Sequence, residues 1–398
     1  MKIGILGGTF DPVHNAHLEI AIKAAASENL DKVLLIPTGH PPHKLCPLAS
    51  RRERVDMLSL AVEGERRLEV SDVEIKRPGT TYTVDTLGQL RDEFPHGTQF
   101  FYIIGTDTLS VLDKWRSFSE IAGMCGFIVL RRPGDEESGK IAKDMRRLSA
   151  MGASFREMEF EPRDISSTDI RERSAAGKSI ESLVPKAVEE YIRAKSGKGL
   201  YKSALLRAEI DGWLKENLSR RRYLHTLAVE HAAVDLAERH GESAVDVSFA
   251  ALLHDCAKEF PAEKILEYAG RGGAEPDEIA LLSPQLLHGH AAAFFAKERF
   301  GVEDEKILDA VKNHTMGRPG MSLFEKIIYL ADYIDPGRGH EWVDELRKMA
   351  YDDIEMACEK ATALTIAHVV NIGEPLHPQT VLTYNSLLII NRRKVNGK

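Results

Sequence analysis

Cysteine is scarce. The chain has four in 398 residues, Cys46, Cys125, Cys256 and Cys358, far apart and with no CxxC pair. A disulfide framework is not expected, and free thiols suit a reducing compartment. No apolar run approaches the roughly 18 residues of a membrane-spanning helix. The opening MKIGILGGTFDPVH meets Gly7 and Asp11 too early for a secretory signal, so a cytoplasmic protein with no membrane partner is expected. An excess of positive charge is also missing: 53 Lys+Arg stand against 61 Asp+Glu, a net −8. Bulk DNA or RNA binding needs phosphate neutralisation and is not expected, and the short run Arg220–Arg222 is too small for a nucleic-acid patch. No internal repeat is visible. What is present, 43% hydrophobic and 29% charged residues, is ordinary for a globular protein. The length suggests two or three domains at roughly 100–200 residues each.

The first half alternates strand and helix. Lys2–Leu6, Lys32–Ile36, Leu68–Val73, Gln99–Ile104 and Phe127–Leu130 read as extended; His17–Asn29, Arg51–Ala61 and Val84–Glu93 read as helical. This predicts an α/β domain, a parallel sheet with helices on both faces, over residues 1–195. Residues 196–202, rich in Gly, Lys and Ser, read as a linker. Residues 203–398 carry helical patterns and no strand series, so the second domain is expected to be all-α. Its patterned stretches are Ser203–Leu218, Tyr223–Arg239, Val247–Cys256, Ala262–Ala269, His288–Arg299, Asp304–Asn313, Leu323–Ile334, Trp342–Lys348 and Asp352–Val370.

The sharpest cluster follows the first strand: Gly7-Gly-Thr-Phe-Asp-Pro-Val-His14-Asn-Ala-His17. Glycines allow close backbone approach to a ligand, and a helix starting near His17 would turn its free N–H groups and positive dipole end to the same space. That is a phosphate-binding arrangement. His14 and His17, three apart, can line one side of the turn, where imidazolium groups would stabilise charge on a transferring phosphate.

This string resembles the signature of nucleotidylyltransferases, with Ala16 where the family has glycine. Pro37–Lys44, Thr81–Thr86, Ile103–Asp107 with Trp115, Arg132-Pro-Gly134 and Ile165–Thr168 with Arg171 are similar to the set in bacterial nicotinate-mononucleotide adenylyltransferases. The resemblance implies a Rossmann-like fold. It places ATP on Gly8, Thr9 and Phe10, with His14 and His17 on the phosphates as the catalytic pair. It gives Gly105 and Asp107 to the adenylate side, and Ser166, Ser167, Thr168 and Arg171 to the phosphates at the start of a helix Asp169–Ala175. Lys44, Tyr82, Thr83 and Trp115 are implied as contacts of nicotinate mononucleotide, although Trp115 also reads as core and Lys44 as a solvated charge. Magnesium is expected on the ATP phosphates, held mainly through substrate.

In the second half, His254-Asp255 ends an apolar stretch, His225 lies upstream and Asp332 downstream, with His288 and His314 between. Imidazoles and carboxylates on separate inward-facing helices suit a divalent transition metal. The pattern is similar to HD-domain phosphohydrolases. Arg222–His225, Leu252–Lys258, His288-Gly-His290, Asn313–Gly317, Ala331–Arg338 and His377–Asn385 resemble the symmetrical diadenosine tetraphosphate hydrolases of that superfamily. By that resemblance His225, His254, Asp255 and Asp332 are core ligands of iron or another divalent metal, Asp255 also being catalytic. His288 and His314 complete a second metal site or hold phosphate, and Arg222, Lys258, Thr315 and Arg338 contact the nucleotide, which would be cleaved to two ADP. No Gly-Tyr-Pro follows His254-Asp255, which argues against cyclic-dinucleotide hydrolysis. His231, His240, His290 and His368 have no partner pattern and read as structural or solvated. A regulatory nucleotide sensor, or hydrolysis of another nucleotide phosphoester, stays open for this half. So does a homo-oligomeric state.

Overall fold

The computed structural model describes residues 1–39, 45–77, 81–131, 139–161, 163–196, 200–335 and 341–395. The chain divides into two compact units. The first runs up to Leu205; the second runs from Leu206, and the short piece ending at Cys46 groups with it.

In the first unit, β1 (Lys2–Gly8), β2 (Lys32–Pro37), β3 (Leu68–Val70), β4 (Gln99–Gly105), β5 (Cys125–Arg131) and β6 (Phe155–Glu159) form one parallel sheet in the order β3-β2-β1-β4-β5-β6. The strands are apolar because both faces are covered. Leu6, Val33, Leu35 and Ile103 enter one core cluster. Ile3, Ile5, Leu34, Ile36 and Ile104 enter the other, as the period of two requires. Each fully buried Leu or Ile contributes on the order of 2 kcal/mol. β1 sits between β2 and β4, with Gly8 opposite Pro37 and Ile5 opposite Tyr102. The strand order reverses there, so the carboxyl end of β1 opens the crevice in which such sheets take ligands.

The second unit is helical. Its helices include Arg220–His240, Ala244–Leu253, His288–Phe300, Glu305–Asn313, Leu323–Tyr333 and Ile354–Asn371. Ser219, Ser243 and Ser322 cap three of them by accepting the N–H of Arg222, Asp246 and Glu325. Val247–Leu253 and Phe324–Ala331 are buried along their whole length, which is why these runs are mostly apolar, with Glu325 and Lys326 paired to Arg318 and Glu355.

The structure moves several expected boundaries. The first helix spans Asn15–Ser27 rather than starting at His17, and the third strand stops at Val70. β6 carries no apolar run because it is an edge strand, with Arg156 and Glu157 exposed. Pro378–Val395, expected only as a motif-bearing ending, is a helix. Within the expected linker, Tyr201 is buried in the first unit's core. Among the described residues no helix is long and apolar enough to cross a membrane.

Candidate active sites

At the carboxyl end of β1, His14 is the N-cap of the first helix and His17 lies in its first turn. Their rings stack at 3.6 Å, and the His14 backbone N–H donates to His17 Nδ1 at 3.3 Å. Phe10, at φ +49°, presents its ring edge to His17 at 4.8 Å. A Cβ on Gly8 would sit 3.1 Å from the Phe10 ring, so this approach favours glycine there. Burial lowers His14 to about 4; burial, then the neighbouring His14, lowers His17 to about 3. The expected imidazolium pair is therefore corrected: without a ligand both rings are neutral. His14 Nδ1 is buried with no hydrogen-bond partner, a polar atom left for something to meet.

A second segment closes on this loop. The helix Ser167–Ala175 is capped by Ser166, whose Oγ accepts the Asp169 N–H at 3.1 Å. Ser167 Oγ donates to the Pro12 carbonyl at 2.9 Å. Arg171 donates to the Asp11 carbonyl at 2.7 Å and to Thr168 Oγ1 at 3.1 Å. The three hydroxyls thus serve the protein itself, and the first-turn N–H groups, which have no intrahelical acceptor, are what the helix end offers an anion.

Beside β1, Gly105 ends β4 and caps Thr106–Leu109, with Asp107 exposed in that first turn. Tyr82 caps the helix beginning at Thr83; the Arg116 guanidinium lies 4.6 Å over the Tyr82 ring. Trp115 is half-buried against the core, edge-on to Tyr102 at 5.6 Å, so its packing role is real. Lys44, the Arg132-Pro-Gly134 motif and Arg338 lie outside the described residues.

In the second unit the expected histidines converge. His254 and His314 end the helices Ala244–Leu253 and Glu305–Asn313, and His288 begins His288–Phe300. Each points its Nδ1 at a backbone carbonyl three residues earlier: His254 at Ala251 (2.6 Å), His288 at Gln285 (2.5 Å) and His314 at Val311 (2.7 Å). His225, half-buried, directs Nδ1 to Asp335 Oδ2 at 2.8 Å. These bonds assign a proton to each Nδ1 and turn every Nε2 towards the centre.

There His225 Nε2 stands 3.2 Å from Asp332 Oδ1 and 3.7 Å from Asp255 Oδ2, and His254 Nε2 is 3.5 Å from Asp255 Oδ2. His225 Nε2 and His254 Nε2 are buried and make no hydrogen bond. His288 Nε2 and His314 Nε2 face each other at 2.9 Å, with Asp255 Oδ1 3.0 Å from the former and Thr315 Oγ1 3.3 Å from both. Two lone pairs at that distance repel unless a proton or cation lies between them. The ligand atoms of His225, His254 and Asp332 lie within 4.8 Å of one another, as do those of His254, Asp255 and His314. Orphaned nitrogens, oriented rings and mixed N/O donors fit a divalent metal.

Charge follows the geometry. Burial alone would raise the Asp255 carboxyl, but the imidazoles of His254, His288 and His314 packed around it hold it well below its ordinary range. Burial opposes the charge on His225, yet Asp332 and Asp335 raise it to about 9. His288, buried, is lowered to about 4. Arg222 Nη1 donates to Asp255 Oδ2 at 2.6 Å, and Lys258 Nζ lies 3.3 Å from His288 Nδ1.

Residues 5–173 match the cytidylyltransferase-like family, and residues 222–337 match the HD domain. The chain is 39% identical over 217 residues to a "Probable nicotinate-nucleotide adenylyltransferase" of Pelobacter propionicus, covering 48% of this chain and 96% of that one. It is 40% identical over 182 residues to the "Bis(5'-nucleosyl)-tetraphosphatase, symmetrical" of Bacillus subtilis, covering 46% and 97%. This chain belongs to both families. A single protein of Mycoplasma genitalium, named "Probable nicotinate-nucleotide adenylyltransferase/Ap4A hydrolase", is 29% identical over 377 residues, 93% of this chain and 98% of that one.

Both halves contain site residues that the sequence did not reveal. In the cytidylyltransferase-like unit, Arg54 is 1% exposed and donates to the carbonyls of Thr9 (3.0 Å) and Thr38 (2.7 Å), tying the loops after β1 and β2. An arginine on the buried face of an amphipathic helix was the available signal. In the HD unit, Asp335 orients His225, and Gly289 lets two ligand helices meet. A Cβ on Gly289 would lie 2.8 Å from the Lys312 carbonyl and 2.9 Å from that of Val311.

Proposed function

We propose that the first unit transfers the adenylyl group of ATP to nicotinate mononucleotide, and that the HD unit hydrolyses diadenosine tetraphosphate symmetrically. In the first reaction a phosphate oxygen of the mononucleotide attacks the α-phosphorus of ATP, the α–β bridging bond breaks, and pyrophosphate leaves with deamido-NAD formed. The nucleophile comes from substrate, so the protein contributes position and charge stabilisation. Gly8, Thr9 and Phe10 shape the nucleotide loop, and His14 and His17 meet the phosphates as neutral donors. Arg171 and the N-terminus of Ser167–Ala175 supply positive character. Gly105 and Asp107 take the adenylate side, and Tyr82, Thr83 and Trp115 the mononucleotide. Magnesium enters with ATP. The observation that carries this half is the junction of the histidine loop with Arg171, 2.7 Å from the Asp11 carbonyl.

In the HD unit, His225, His254, Asp255 and Asp332 would hold the metal, with His288 and His314 beside them. A bound divalent ion, iron or a similar metal, makes hydroxide available from water at neutral pH. Asp255 stays ionised, Arg222 and Lys258 offer charge to phosphate oxygens, and Thr315 offers a hydroxyl. One water adds across the central phosphoanhydride and two ADP result. The observation that supports the hydrolytic assignment is that His225 Nε2 and His254 Nε2 are buried without a hydrogen bond and face the carboxylates of Asp332 and Asp255. Four buried cysteines outside any disulfide accord with a cytoplasmic setting.

Two variants of the full chain separate the activities. His17→Ala removes pyrophosphate release from ATP and nicotinate mononucleotide and leaves tetraphosphate cleavage intact; Asp255→Ala does the reverse. Loss of both activities in either variant counts against two independent sites.

A further inference from the structure

Asp11 is the meeting point of the loop after β1. Its Oδ1 accepts the Tyr201 hydroxyl at 2.9 Å and the Ala49 N–H at 3.1 Å, and its Oδ2 accepts the Leu48 N–H at 2.8 Å. The Asp11 carbonyl takes Arg171 Nη1 at 2.7 Å, and the same nitrogen stands 3.9 Å from Oδ2. Tyr201 is 2% exposed and adopts φ +62°, which a bulky residue holds only where its surroundings impose it. It falls after the stretch 5–173 that matches the cytidylyltransferase-like family.

A carboxylate has about four lone-pair sites. Two backbone N–H groups and the phenol fill three of them on Asp11, all away from solvent. Without the phenol a buried oxygen loses a donor, and Arg171 is the cation placed to compensate. A guanidinium drawn to that carboxylate leaves Thr168 and the phosphate side. Burial pushes the Tyr201 hydroxyl well above its usual pKa, so it remains a donor.

We infer that Tyr201 is a positioning residue of the adenylyl-transfer site: by satisfying Asp11 it keeps the Arg171 guanidinium directed at the phosphates of ATP. This rests on the adenylyl-transfer assignment above. It also makes the segment leading into the HD unit part of the first unit's machinery.

The test is a double-mutant cycle in the full chain: wild type, Tyr201→Phe, Arg171→Ala and the double variant. Initial rates of pyrophosphate release are measured against ATP and against nicotinate mononucleotide. Tyr201→Phe is expected to raise KM for ATP about three- to tenfold, the scale of one ordinary net hydrogen bond, with KM for the mononucleotide unchanged. In the Arg171→Ala background it should add nothing. An equal effect in both backgrounds, or an equal rise in both KM values, overturns the inference. The rise in unfolding midpoint caused by MgATP gives a second reading of the same cycle without turnover. Urea unfolding of each chain without ligand reports that Tyr201→Phe, which keeps the buried ring, remains folded. A wild type that releases no pyrophosphate overturns the adenylyl-transfer assignment by itself, and the MgATP shifts then still decide the role of Tyr201.

Discussion

His225 Nδ1 lies 2.8 Å from Asp335 Oδ2, and this bond decides which ring nitrogen faces the other ligands. Asp335 is itself fixed: Arg347 donates to its carbonyl at 2.9 Å and to that of Ile334 at 2.8 Å. The three other imidazoles are set by backbone carbonyls, so Asp335 is the orienting group that a side-chain substitution can remove. Asp335→Ala is expected to lower divalent-metal affinity ~10–100-fold. Competition against a metal-binding dye measures it, and wild-type affinity would show that Asp335 does not orient the ligand.

Gly289 sits where the helix His288–Phe300 touches the end of Glu305–Asn313. Gly289→Ala places a methyl group 2.8 Å from the Lys312 carbonyl, against backbone that cannot turn aside. Stability should drop by about 1–3 kcal/mol in urea unfolding, and metal affinity should fall with it because His288 and His314 separate. A variant as stable as wild type would mean that the helices part without cost.

Arg54→Ala removes the donor to the Thr9 and Thr38 carbonyls and leaves a cavity. The expected cost is about 2–4 kcal/mol, and KM for ATP should rise because the loop carrying Gly8 and Phe10 loses its brace. Chemical denaturation and initial rates check the two halves of the prediction separately.

The histidine pair gives a pH signature. Unfolded, both rings titrate near 6.5; folded, burial holds His14 at about 4 and His17 at about 3. The unfolded chain therefore binds more protons as pH falls below about 6.5, and the first unit loses stability through that window until the folded rings also protonate. Replacing His17 with glutamine should flatten this part of the profile of unfolding midpoint against pH. An unchanged slope would contradict neutral buried rings.

The fold was legible where one local pattern sufficed. The apolar strands buried on both faces and the amphipathic helices announce themselves. β6 does not, because an edge strand such as Phe155–Glu159 needs no apolar run. His225, His254-Asp255 and Asp332 could be picked out as candidate ligands because metal chemistry restricts the residue types. Asp335, Gly289, Arg54 and Tyr201 were hidden because their roles depend on contacts between distant segments. The charge state of His14 and His17 was hidden for a related reason: sequence places the rings on one turn but does not state their burial.

The proposed function stands or falls first on a hydrolytic metal site in the HD unit. It is tested most directly by incubating the full chain with diadenosine tetraphosphate and ferrous iron or manganese, with Asp255→Ala alongside, and separating the products. Two ADP per substrate, absent in the variant, is the predicted result. ATP plus AMP, or no cleavage with either metal, would contradict it.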